Sequence, residues 1–160
     1  MNVQIRPVSE LDINDLVDLS LLAFEPIFNS FAKILGPLIY PAIYPDWKVS
    51  QSEGVVSTCN NEKFHVWIAE LDEKVVGFIA YELHDEDKSG EVQLLAVHPD
   101  SQNDGIGTKL NDFALQKMQA AGMSIAVVGT GGDESHAPAR RSYEKAGYTA
   151  LPLVRYYKKL

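Results

Sequence analysis

Cysteine is nearly absent. A single thiol, Cys59, supports neither an internal disulfide framework nor a thiolate metal cluster. Basic residues are also scarce: 14 Lys and Arg face 22 Asp and Glu, a net charge of −8. That balance repels nucleic-acid phosphates and argues against a DNA- or RNA-binding role. It would draw in a cationic amine, although acidic surfaces also serve plain solubility. No apolar run approaches the roughly 20 residues of a membrane span, so no membrane association is expected. The opening MNVQIRPVSELD lacks a basic-then-apolar signal pattern, and one thiol fits a reducing compartment, so a cytoplasmic location is expected. There is no Gly-x-Ser-x-Gly elbow, no Walker loop and no dinucleotide fingerprint after the first strand. His65, His84, His98 and His136 show no ligand spacing with one another, so no metal is expected.

What is present suits one domain spanning residues 1–160. Hydrophobic residues make up 46% of the chain, enough for a core without staples. Residues 3–6 read as a strand ending at Pro7. Ser9 and Asp12 are candidate N-caps for a helix with Leu11, Leu16, Leu19 and Ala23 on one face. Residues 24–47 are apolar and aromatic but interrupted by Pro26, Pro37, Pro41 and Pro45, which predicts a broken helical segment. Residues 50–61 continue as helix or loop. Then the period changes. Phe64, Val66 and Ile68 alternate with His65, Trp67 and Ala69, as in a strand. Asp72-Glu73 turns the chain into a second run at 74–83, a charged turn covers 84–90, and a third run follows at 91–98. Asp85-Glu86-Asp87 reads as the solvated tip. The three runs predict an antiparallel meander.

Residues 105–121 form a helix by pattern, with Ile106, Leu110, Phe113, Ala114 and Met118 on one face and Gly122 just past its end. A buried strand at 124–128 follows. Asp133 or Ser135 could cap a helix over 136–146, stopped by Gly147, and residues 148–160 supply final strand material. The order predicts an α/β fold: a mixed, mostly antiparallel sheet with helices on both faces.

The chemistry concentrates where the third meander run ends. His98-Pro99 closes a strand, and a polar turn leads through Gln102 to Gly105 and Gly107 at a helix start. The glycines permit close backbone approach, and the first helical N–H groups have no intrahelical partner. Such a start suits a pyrophosphate, and it is equally the form of an ordinary glycine-assisted helix start.

The pattern Gln102-x-x-Gly105-x-Gly107, after a strand ending Ala96-Val97, resembles the acetyl-CoA motif of the GNAT superfamily of N-acetyltransferases. A second segment, His136-Ala-Pro-Ala139-Arg-Arg-Ser-Tyr143-Glu-Lys-Ala-Gly147-Tyr148, matches that family's later motif except at His136, where Asn is usual. Both stand in register across residues 91–148. The resemblance implies a GNAT-like sheet and acetyl-CoA as cosubstrate with no metal. It implies that the backbone of Leu95, Ala96 and Val97 bonds the pantetheine arm. The N–H groups of Gln102, Asn103, Asp104, Gly105, Ile106, Gly107 and Thr108 would hold the pyrophosphate, with His136 beside the cofactor. Tyr143 would protonate the departing thiolate. Glu91, six residues before Val97, stands where some members carry a catalytic base; otherwise it is a strand-end carboxylate in solvent. His84, Asp133 and His136 are weaker candidates for that role.

The implied activity is acetyl transfer to a primary amine by direct attack in a ternary complex. The partner would be a small-molecule or peptide amine, and a homodimer stays open. The rival readings are a non-catalytic acyl-CoA-binding regulatory module, which would not need Tyr143, and a nucleotide-binding domain, which lacks the acidic ribose contact of a first β-α-β unit. The aromatics of residues 24–47 are either packed core or a wall of the acceptor site.

Overall fold

The computed structural model describes residues 2–160. Five strands, β1 (Val3–Pro7), β2 (Phe64–Leu71), β3 (Lys74–His84), β4 (Ser89–Val97) and β5 (Ile125–Val128), lie in that order across one sheet. The first four are antiparallel neighbours, and β5 runs parallel to β4. The helices are α1 (Ile13–Ile43), α2 (Trp47–Asn60), α3 (Ile106–Ala120) and α4 (Ala137–Lys145). The expected α/β class and the meander are both present.

Alternation decides which face each residue serves. On β3, Phe78 and Ala80 point to a core shared with Leu16 and Leu19 of α1 and Val55 of α2. Ile79 and Tyr81 point to the opposite core, shared with Ile106, Leu110, Ala114 and Met118 of α3. Helices therefore cover both faces, which is why β3 reads as a nearly continuous apolar run. Leu16, Ile68, Ile79 and Leu110 are fully buried, each stabilising the fold by about 1.5–3 kcal/mol. The β2–β3 hairpin turns at Asp72 and Glu73 with φ of 50° and 63°, the positive values that a two-residue turn requires. The β3–β4 turn is tighter than expected, because β3 runs to His84 and β4 begins at Ser89. Asp87 closes it by accepting from the Ser89 amide and hydroxyl.

Arg6 of β1 joins three elements. Its guanidinium donates to Asp12, at the entry to α1, and to Glu70 of β2 at 2.8–3.1 Å. Asp12 also accepts from the Ser9 amide and hydroxyl, so its carboxylate reaches backward and does not cap α1. The Arg6 hydrogen bonds hold the Asp12 carboxyl well below the usual carboxylate range, against the opposing effect of burial.

Four expectations are corrected. Leu11 is 92% exposed, because residues 10–12 form a 3₁₀ turn that rotates it off the helical stripe. Neither Asp133 nor Ser135 caps α4; His136 occupies that position, and the Asp133 carboxylate is engaged elsewhere. The span Glu10–Ile43 is long and apolar enough, by length and composition, to cross a membrane. It is broken at Gly36 (φ 76°, ψ 178°) beside Pro37, and its first half buries Leu16, Leu19 and Ser20. Finally, residues 148–160 form no strand; Leu151, Leu153, Val154 and Tyr156 are 77–89% exposed.

Candidate active site

β4 and β5 pair only from Ser89 to Val92. The β3–β4 register shifts between Ala80 and Tyr81, so that Tyr81 faces Val92 while Ala80 faces Leu94, and Gln93 bulges out. Beyond that point β5 has ended, and the stretch of β4 carrying Leu94, Leu95, Ala96 and Val97 has a strand neighbour on its β3 side alone, with only the Val97 carbonyl engaged by a side chain, that of Gln102. The result is a cleft with one free backbone edge, the kind of edge that can accept an extended ligand as an added strand.

The cleft leads to the turn that the sequence marked. His98 accepts from the Asp100 amide, and Gln102 donates its side-chain amide to the Val97 carbonyl at 3.1 Å. Gln102 therefore ties the turn to the end of β4, a role its exposure leaves compatible with backbone binding. Asn103 and Gly105 both take left-handed conformations (φ 67° and 78°), folding the chain sharply into α3. No side chain caps α3, so the amides of Ile106, Gly107 and Thr108 remain available to an anion. A Cβ at Gly107 would touch only Val97 Cγ2, at 3.6 Å.

On the α1–α2 face of the sheet, at the other end of the β4 cleft, three titratable side chains converge. Glu91 sits opposite Glu82 across the β3–β4 ladder. His84 Nε2 lies 3.5 Å from Glu82 and 3.7 Å from Glu91. Histidine spacing alone could not reveal this group, because its members come from two strands. A signal for Glu82 was present: a carboxylate ending the apolar run Val75–Tyr81 has no obvious reason to be there. Its ligand atoms lie within 4.8 Å of one another, as a metal site requires. The Lys63 ammonium, 2.9 Å from the buried Glu82 carboxylate, already supplies a cation, although off the hydrogen-bonding direction.

A second group gathers before α4. Asp133 accepts from Ser30 of α1 at 2.6 Å, from Ser135, and from His136 Nδ1. Arg140 donates to the Gly131 and Asp133 carbonyls, locking the loop. Hydrogen bonds from Ser135, Ser30 and His136 outweigh the raising effect of burial, which is the largest single influence, and hold the Asp133 carboxyl well below its ordinary range. His136 turns Nδ1 to Asp133, and its ring stacks on Phe31 at 5.8 Å. Phe31 belongs to an aromatic cluster with Phe28, Tyr44 and Trp47, the closest pair being Phe28–Trp47 at 4.4 Å. Phe28, Phe31, Tyr44 and Trp47 are thus packed against one another, with Phe31 against His136 before α4, while Phe24 packs on the core shared by α1 and β3.

Tyr143 lies two turns beyond His136 and packs edge-on against Tyr148 at 5.7 Å. Burial, and secondarily Tyr148, push its phenol up to about 12. No hydrogen bond joins Tyr143 to Glu91 or His136.

The GNAT acetyltransferase domain model matches residues 62–150, which hold this whole constellation apart from α1 and α2. The chain belongs to the GNAT acetyltransferase family. A mycothiol acetyltransferase of Streptomyces coelicolor is 32% identical over 82 residues, covering 51% of this chain and 26% of that protein. The chain thus spans about a quarter of the length of that curated relative. Among solved GNAT structures, the PaiA N-acetyltransferase of Thermoplasma acidophilum in complex with coenzyme A superposes with a TM-score of 0.71 at 19% identity, covering 94% of this chain and 92% of that one. An aminoglycoside acetyltransferase from an uncultured soil metagenomic sample, in complex with sisomicin, gives a TM-score of 0.64 at 20% identity, with coverage of 99% and 96%. At these identities the structural likenesses establish the GNAT fold.

Proposed function

We propose that this chain acts as a single N-acetyltransferase domain that moves an acetyl group from acetyl-CoA to a small cationic primary amine, with both substrates bound together in the cytoplasm. The observation that carries the reading is the continuity of the free β4 edge with the uncapped start of α3. The first fits an extended pantetheine arm, and the second fits a pyrophosphate. The Leu95, Ala96 and Val97 backbone would align the thioester, and an amide of that edge would polarise its carbonyl oxygen. The amides from Gln102 through Asn103, Asp104, Gly105, Ile106 and Gly107 to Thr108 would hold the phosphates. His136 contributes less directly to the cofactor than the resemblance implies, since Asp133 occupies its Nδ1.

The acceptor nitrogen must lose a proton to attack, because an alkyl ammonium has a pKa of about 10.4. Glu91, with His84 beside it, takes that proton. The new C–N bond forms as the C–S bond breaks, and the sulfur keeps the electron pair. Tyr143 then faces a thiolate whose parent thiol has a pKa of about 8.5, by analogy with cysteine. Because burial pushes its own phenol up to about 12, full proton transfer to that thiolate is well uphill. Tyr143 therefore acts chiefly as a hydrogen-bond donor to the developing thiolate. Glu91, which no lysine or arginine pairs, favours a cationic acceptor, in keeping with the sisomicin complex of the structural relative.

The test is release of free CoA with spermidine, sisomicin, lysine and a short peptide as acceptors. Amine-dependent release above the hydrolytic background is the expected result. Tight acetyl-CoA binding without release for any amine would overturn the reading in favour of a non-catalytic acyl-CoA module.

A further inference from the structure

Glu82 and Glu91 are cross-strand partners on β3 and β4, so two carboxylates stand directly opposite each other. Like charges in that position destabilise a sheet unless a cation joins them. His84 lies two residues beyond Glu82 and therefore on the same face. It brings Nε2 to 3.5 Å from Glu82 Oε1 and 3.7 Å from Glu91 Oε2. Both separations lie beyond the ordinary hydrogen-bond range. They fall close to the edge of a zinc tetrahedron, in which bonds of roughly 2.0–2.2 Å set neighbouring nitrogen and oxygen ligands about 3.4 Å apart.

Glu82 is the least expected member. Its side chain is only 9% exposed, and its Oε2 accepts no hydrogen bond. The Lys63 ammonium stands 2.9 Å from that same oxygen, so the lysine serves Oε2 and leaves Oε1 to the cluster. One ammonium against two carboxylates leaves a negative charge unmatched, since Glu91 meets His84 and no lysine or arginine. Glu91 is also 43% exposed, which keeps the group reachable from solvent.

From this geometry we infer that Glu82, His84 and Glu91 form a zinc-binding site, with three protein ligands and a fourth position for water. An imidazole nitrogen joined to two carboxylate oxygens selects zinc over magnesium or calcium, which take oxygen shells. The ion occupies the Glu91 carboxylate, so zinc and the acceptor's ammonium compete for one group and bound zinc stops acetyl transfer. That inhibition rests on the reading of Glu91 as the base; the ion site does not.

The experiment titrates zinc chloride into the full chain, stripped with EDTA and dialysed, by isothermal titration calorimetry. A Cys59→Ser background removes the lone thiol. One equivalent should bind. Glu82→Gln and His84→Ala should each weaken binding at least about tenfold, the lower end of what even outer-sphere partners of a metal are worth. Circular dichroism reports whether each variant is folded. Cobalt chloride on the parent needs no variant: a four-coordinate ion absorbs strongly in the visible and a six-coordinate surface ion only faintly, and zinc should bleach the strong bands. No saturable binding, unchanged affinity in either folded variant, or faint cobalt absorption overturns the site. Inhibition is read by mass spectrometry of the acetylated amine, because zinc also binds the thiol of released CoA. Zinc should raise the apparent KM for the amine, leave kcat unchanged and be reversed by EDTA. Glu82→Gln should need at least about tenfold more zinc for the same effect. Zinc bound at the site without inhibition, or inhibition that excess amine does not relieve, overturns the competition. A chain that binds zinc there but acetylates no amine refutes the proposed function and leaves the ion site standing.

Discussion

Gly107 offers a clean test of the phosphate site. It is the second residue of α3, and a Cβ there meets only Val97 Cγ2 at 3.6 Å, an ordinary contact. Gly107→Ala therefore fits without displacing anything, and alanine should leave acetyl-CoA affinity within about twofold while firming the helix slightly. Gly107→Asp adds a carboxylate beside the uncapped amides. A negative charge in the first turn suits the helix itself, worth about 0.3–1 kcal/mol, so the variant should fold. The ligand experiences the opposite sign. Two unit charges roughly 6 Å apart repel by about 0.7 kcal/mol in bulk water and about 2.8 kcal/mol at an effective dielectric of 20. A pyrophosphate presents more than one such charge. We therefore expect Gly107→Asp to weaken acetyl-CoA binding at least tenfold, about 1.4 kcal/mol. Isothermal titration calorimetry at low and high salt is the assay, and the loss should shrink as salt screens it. Unchanged affinity in a folded Asp variant would refute the placement of the phosphates. An equal loss in Gly107→Ala would show that bulk, and not charge, is responsible.

Tyr143→Phe keeps the ring against Tyr148 and removes only the hydroxyl. A hydrogen bond to a charged group is worth about 2 kcal/mol, so turnover should fall roughly thirtyfold with acetyl-CoA affinity preserved; parallel kinetics and calorimetry on the same variant decide it, and unchanged turnover would reduce Tyr143 to packing. Glu91→Gln should slow turnover most at neutral pH and progressively less as pH rises toward the acceptor's own pKa, so a pH–rate profile identical to the parent would remove Glu91 from the mechanism. Asp12→Asn leaves Arg6 half-paired and should cost about 2 kcal/mol at pH 7, discounted because the Arg6 side chain is 39% exposed. Because the folded Asp12 pKa is depressed, its contribution is complete above the unfolded value near 3.9 and is lost as pH falls. At pH 3 the unfolded carboxyl is mostly protonated while the depressed folded one largely is not, so urea denaturation should show a parent–variant gap smaller than at pH 7, by roughly 1 kcal/mol.

The alternation at Phe64, Val66 and Ile68, the two-residue turn at Asp72-Glu73 and the helical stripe from Ile106 to Met118 are all local periodicities, and they determined the meander and α3 without reference to anything distant. The same holds for the Gln102–Gly107 turn, whose backbone demands are met by a few adjacent residues. The sequence erred where an element's state depends on a partner. Leu11 looked like part of a stripe, but a 3₁₀ turn fixed by Ser9, Asp12 and Arg6 rotated it into solvent. Residues 149–160 have strand composition, yet a strand exists only when a neighbour supplies its hydrogen bonds, and none within the chain does. Tertiary structure alone brought Glu82 and His84 to Glu91, and Ser30 and Phe31 to Asp133 and His136, because side chains far apart in sequence share an environment only once the sheet registers and α1 packs on it.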